Sequence, residues 1–282
     1  MLYGIGALPL GLSALGLVAE YYLYGDMTPN DKLSKRESTS GYDKKEGSKL
    51  SIMDALKDPT IQKTLIGTGG CWFLFDVAAY GVGLIAGEIL RDITNTTDDN
   101  VSSNKNIANI TSKECVAIVF ATLMSLTALL VGLPYLGLKK LQMASFGLST
   151  FFLLLFACLY EYYQSLGQYK SLNALFVLTT MSLNSGQNIT TYTLPSALYP
   201  KEIRSTFHGI SSALGKAGAF IAAFTFIYIG GSARYGSYGA VLGICTVMSA
   251  LGGILTYYCV DEGILNTFNS VAPSPVQLAV AI

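Results

Sequence analysis

Charge is what this chain has least of. Only 13% of its 282 residues are Asp, Glu, Lys or Arg, and the eighteen acidic and eighteen basic side chains cancel to a formal net charge of zero. So sparse and balanced a set offers no basic face for nucleic acid, and no partner can be argued from it. Histidine is scarcer still, since His208 stands alone. A histidine-based metal centre or a Ser-His-Asp triad is therefore not expected. Cys71, Cys115, Cys158, Cys245 and Cys259 have no C-x-x-C spacing and mostly lie in apolar blocks. They read as small buried hydrophobes rather than as metal ligands or a disulfide set. A basic stretch leading to a cleavage site is missing from the start, so no removable signal peptide is expected. With neither a nucleophile–base pair nor metal spacing, the expectation is no enzyme, no metal and no cofactor.

What is present is hydrophobic. Half of the chain (51%) is apolar, and the mean hydropathy is +0.45. The apolar residues fall in blocks near twenty long, and about twenty such residues cross a hydrocarbon core of roughly 30 Å as a helix. The expected fold is an all-α membrane protein with spans near residues 3–24, 64–90, 114–138, 141–163, 171–199, 206–230 and 237–260. Residues 25–63 are polar and densely charged, a solvated linker with a helical piece near SIMDALKD. Residues 261–282 form a short tail that contains prolines. Lys139 and Lys140 mark the turn between the third and fourth spans.

Orientation can be read by counting. With the 25–63 linker in the cytoplasm, twelve Lys and Arg residues lie inside and five outside, as the positive-inside rule favours. The 91–113 loop then falls outside. It carries N-x-S/T sequons at Asn95, Asn100 and Asn109, which suggest the same side. The expected location is a multi-pass protein of the plasma membrane, with linker and C-terminus in the cytoplasm.

The second span, TLIGTGGCWFLFDVAAYGVGLIAGEIL, contains one carboxylate near its middle, Asp76. An ionisable group at that depth is costly and usually faces inward. Trp72 and Tyr80 stand four residues to either side, so the three form one polar-aromatic stripe about 12 Å long. Lys216 is the second intramembrane charge, on a helix, GISSALGKAGAFIAAF, small enough in side chain to pack closely against another. The two charges lie at similar depth. A plain ion pair between their helices is one reading. A third element favours a shared site: Asn184 to Thr193 place amides and hydroxyls in mid-membrane, where they need partners. The sequon at Asn188 lies in that stretch and is not expected to be glycosylated. Lys216, Asn188, Trp72 and Tyr80 could donate to an anion such as monovalent phosphate, whose P–OH groups could donate to an ionised Asp76. Binding of proton and anion at one site would be thermodynamically linked.

These residues also carry a resemblance. The segments LYGIGALPLGL, WFLFDVAAYGVGL and GQNITTYTLPSALYPKEIRSTFHGISSALGKAGA resemble helix 6, helix 7 and helices 10 to 11 of the inorganic phosphate:proton symporters of the major facilitator superfamily. The family's W-x-x-x-D-x-x-x-Y falls on Trp72, Asp76 and Tyr80, its helix 10 asparagine on Asn188, and its helix 11 lysine on Lys216. By that resemblance these are phosphate ligands, with Asp76 also in proton coupling. The fold it implies has two six-helix halves with the site between them. This chain would then be a fragment, one helix (1–24), the central linker (25–63) and the C-terminal half (64–260), with the N-terminal five helices absent. The expected partners are phosphate, protons, the lipid bilayer and that missing half. Gating would fall to Arg204, Lys139 and Lys140. Here the chain departs from the family, because PYLGLKK replaces D-x-x-G-R-K and Pro195, Ser196, Ala197 replace P-G-E. The alternatives are a sugar or other organic-solute porter of the same superfamily, and a non-transporting pseudotransporter or nutrient receptor.

Overall fold

Hydrocarbon leaves a chain two ways to satisfy its backbone, and this one uses helices. A computed structural model describes residues 52–95, 103–200, 202–231 and 238–261, all within one compact unit, Gly47–Ile282. Among the described residues there is no strand, so the protein is an all-α membrane protein as expected. The expected first span, the linker as far as residue 51 and the tail from residue 262 lie outside the described residues.

Two short helices come first, α1 (Ile52–Ala55) and α2 (Pro59–Leu65). Asp58 caps α2 by accepting the Thr60 N–H at 2.7 Å, and Pro59 takes the first turn, where no donor is needed. A five-residue π-helical segment, Ile66–Gly70, leads into α3 (Cys71–Asn95). Within it Thr68 Oγ1 bonds Tyr199 OH at 2.9 Å and Ser211 Oγ at 3.0 Å, tying the start of α3 to the two elements that follow the later break.

The next helices are α4 (Ser103–Thr127) and α5 (Leu133–Ser165), joined by a second π segment, Ala128–Gly132. The apolar stretch Ser112–Ser165 is 54 residues long. Straight, it would reach roughly 80 Å, far more than one crossing needs. It is not straight. Gly137 has φ 74° and ψ 172°, outside the helical region and open chiefly to glycine. A Cβ added to Gly132 would lie 2.9 Å from Leu141 Cδ1, although nine residues of straight helix would separate the two by about 13.5 Å. The chain therefore reverses at Gly137. The lysine pair expected to mark this turn sits just beyond it, because backbone freedom decides where so tight a reversal can occur. The expected 91–113 loop is also shorter than its polarity suggests, since α3 runs to Asn95 and α4 starts at Ser103.

The fifth expected span is two helices, α6 (Tyr169–Leu183) and α7 (Gln187–Leu198). The break falls at Asn184–Gly186, where Gly186 has φ 154°. The freed backbone groups find side-chain partners. Gln187 Nε2 donates to the Leu183 carbonyl at 3.2 Å and Ser125 Oγ to the Asn184 carbonyl at 3.0 Å. Pro195 stays inside α7. The last described elements are α8 (Arg204–Gly231) and α9 (Tyr238–Cys259).

Packing is tightest between α5 and α9 and between α3 and α8. The apolar core holds Ile89, Leu90, Leu153, Phe156, Leu172 and Leu242. A polar seam runs through it: Gln142 donates to Thr256 at 2.9 Å, and Ser149 bonds Ser249 at 2.5 Å and Gln187 at 3.3 Å. In lipid such interhelical bonds join helices that gain little from apolar contact alone. Val119, Leu130, Phe151, Phe220, Phe224 and Ile254 point outward, as a lipid-facing surface requires.

Candidate functional site

Three helices bring the expected residues together. On α3, steps of four put Trp72, Asp76 and Tyr80 on one face. Helix α8 lies close enough for contact because Gly218 meets α3 backbone: a Cβ there would collide with the Phe73 carbonyl. That approach sets Lys216 Nζ 3.6 Å from Asp76 Oδ2 and 3.3 Å from Tyr80 OH, to which it donates. Helix α7 starts afresh after Gly186 and presents Asn188 and Tyr192 to the same space. Asn188 Nδ2 donates to Asn184 Oδ1 at 3.1 Å.

The space is a cleft of about 560 Å³, lined by Trp72, Asp76, Tyr80, Asn188 and Lys216 together. All five expected ligands thus share one wall system. Asp76 and Lys216 face each other in it. The pair is asymmetric. The Asp76 side chain is 5% exposed and the Lys216 side chain 64%. Asp76 Oδ2 is enclosed by protein yet accepts no hydrogen bond among the described residues. Lys216, largely exposed and with one donor given to Tyr80, keeps donor capacity toward the open side of the cleft.

The residues expected to gate lie elsewhere. Arg204 Nε donates to the Tyr199 carbonyl at 3.1 Å, Lys139 stands 5.7 Å over the ring of Tyr257, and Lys140 is exposed. None of the three lines the cleft. Two lining residues, Glu114 and Thr180, were not singled out from the sequence, and Tyr192 and Asn184 entered only as part of the 184–193 stretch. Tyr192 could have been found, since it follows Asn188 by four residues as Tyr80 follows Asp76. Glu114 could not, because its place depends on how α4 packs. His208, set aside in the sequence as a lone histidine, stands beside the cleft. Its ring centroid is 5.9 Å from that of Trp72 and 5.0 Å from that of Tyr192.

With this geometry in place, the likeness to known proteins carries weight. The chain is 35% identical over 166 residues to "Low affinity inorganic phosphate transporter 4" of Medicago truncatula. It is 30% identical over 165 residues to "Probable inorganic phosphate transporter 1-5" of Oryza sativa subsp. japonica, and 31% over 163 to "Probable inorganic phosphate transporter 1-6" of Arabidopsis thaliana. Over more than half its length, this chain is similar to inorganic phosphate transporters. The matched share is 57–58% of the chain and 30–32% of these phosphate transporters, so the chain spans about a third of the length of the curated relatives it matches. No family model matches. These relatives are transporters, in keeping with a chain in which no enzyme was expected.

Proposed function

We propose that the cleft binds inorganic phosphate and that the chain takes part in its transport across a membrane together with protons. One observation carries the reading: a single cation, Lys216, reaches both a buried carboxylate and a phenol in a cleft that also holds an indole and an amide. A bare anion site would exclude Asp76. A monovalent phosphate uses it, because its anionic oxygens accept from Lys216, Asn188, Trp72 and Tyr80 while a P–OH donates to the carboxylate. The dianion lacks one of those protons and meets repulsion. The proton enters with the anion, either on the phosphate monoanion facing an ionised Asp76 or on Asp76 facing the dianion, so proton and phosphate binding are linked at one site. The names of the similar proteins support phosphate as the solute.

The cleft opens sideways, with Lys216, Tyr80, Asn188 and Tyr192 exposed at membrane depth. Polar groups are not left against hydrocarbon, so the open side is covered by further helices, as in the two-half fold of the resemblance. In that assembly residues 25–63 and 261–282 are cytoplasmic segments flanking the six-helix body 64–260. The membrane is the plasma membrane, and Arg204, Lys139 and Lys140 act at the cytoplasmic surface.

The test is labelled-phosphate uptake by proteoliposomes holding the chain within its complete transporter, under an inward proton gradient. We expect accumulation in the wild type, competition by unlabelled phosphate but not by glucose or sulfate, and no gradient-driven accumulation in Asp76→Asn. Competition by glucose, or proton-driven accumulation undiminished in that variant, would refute the proposal.

A further inference from the structure

The indole of Trp72 is held from three sides. Gly215 of α8 leaves room for it: a Cβ there would sit 2.5 Å from Trp72 Cδ1 and 2.8 Å from Nε1. The N–H edge of the ring therefore lies against the α8 backbone one residue before Lys216. Tyr192 of α7 meets the indole at 6.0 Å between centroids and 73°, and His208 of α8 meets it at 5.9 Å and 87°. Tyr192 and His208 are themselves edge-on at 5.0 Å and 83°. Edge-to-face contacts at these separations favour one mutual orientation. They form a layer of three rings, one from each helix of the cleft, one turn from Asp76 along α3 and two turns from Lys216 along α8.

Among the described residues, His208 alone in that layer has a hydrogen-bonding partner that fixes its rotation. Its Nδ1 lies 3.1 Å from Ser196 Oγ on α7, and Ser196 follows Tyr192 by one turn. The bond crosses from α8 to α7, the two helices whose approach also sets the ring contacts. Removing it frees the imidazole, and with it one of the surfaces that limit the indole.

We propose that His208, tethered by Ser196, is a positioning residue of the cleft that holds the Trp72 indole with its Nε1–H directed to an anion beside Lys216. This rests on the phosphate reading above. It gives the lone histidine a role that is neither metal-binding nor catalytic, and it makes Ser196, which lies outside the five expected ligands, part of the affinity for substrate.

The chain has a single tryptophan, so emission and anisotropy of Trp72 report this site without a label. In lipid nanodiscs the chain is titrated with inorganic phosphate, with chloride as the ionic-strength control. Phosphate should change wild-type emission. Ser196→Ala and His208→Phe should each raise the phosphate Kd about three- to tenfold and lower the anisotropy of Trp72, and the double variant should be no worse than the poorer single. Tyr80→Phe, which removes a neighbour of Lys216, should raise the Kd while leaving anisotropy unchanged, so a general loss of fold cannot imitate the result. Unchanged affinity and anisotropy in Ser196→Ala and His208→Phe would overturn this inference and leave the phosphate reading standing. Wild-type emission indifferent to phosphate would overturn both.

Discussion

A carboxylate with 5% of its side chain exposed and a lysine with 64% are unequal partners. Asp76 has already lost its water, and Lys216 supplies the compensating charge. Truncating the lysine therefore strands a buried carboxylate. Lys216→Met should lower stability by about 1–3 kcal/mol, below the range for fully buried pairs because the ammonium is largely exposed. Adding Asp76→Asn should recover most of that loss. Melting of the two variants in detergent checks it, and an unrecovered double variant would deny the coupling. Phosphate binding should fail in both, which separates a site from a mere tie between helices. At this scale much was legible. Trp72, Asp76 and Tyr80 follow from helical spacing alone, and Lys216 is conspicuous as a charge in a small-residue helix. Glu114 and His208 were not legible as lining or supporting residues, and Tyr192 was so only through its spacing from Asn188. The rotational phase of α7 restarts at Gly186, and nothing in a linear pattern says which way the new helix faces.

Helix pairing depends on a few contacts without side chains. The α3–α8 approach passes through Gly218, where an added methyl would meet the Phe73 carbonyl. Gly218→Ala should force the helices apart, lowering stability by about 1–3 kcal/mol and weakening phosphate binding by lengthening the Asp76–Lys216 separation. Gly243→Ala on α9 is the control, since a Cβ there meets nothing within 4 Å and the change should be nearly neutral. Thermal melting of both variants in the same lipid tests this. Equal melting temperatures would remove Gly218 from the account. The close packing of α8 was readable from its run of Gly, Ala and Ser, although its partner was not. The reversal near the start of α5 shows the complementary limit. Composition pointed to the lysines, but the reversal occurs at Gly137, because a positive φ decides the position and charge only decorates it.

At the scale of the molecule, apolar side chains such as Phe151 and Phe220 face outward while the cleft gathers charged and polar groups. The all-α membrane class was evident from the length and spacing of the apolar blocks. Which helices are broken was only partly so, since a polar patch signals an interruption without saying that two rods result. The proposed orientation has a direct check. In membranes of a cell that adds N-linked glycans, one or more of Asn95, Asn100 and Asn109 should be modified, and Asn188, at cleft depth, should not. Glycosidase treatment of the single Asn→Gln variants reads this as a mobility shift. Absence of modification at all three sequons would count against this orientation. The break at Asn184–Gly186 has a mechanical meaning of its own. An unbroken rod carries a tilt at one membrane surface to the other. Two rods meeting at one glycine do not, so the orientation of α7, and with it the wall bearing Asn188, is set independently of the direction in which α6 runs.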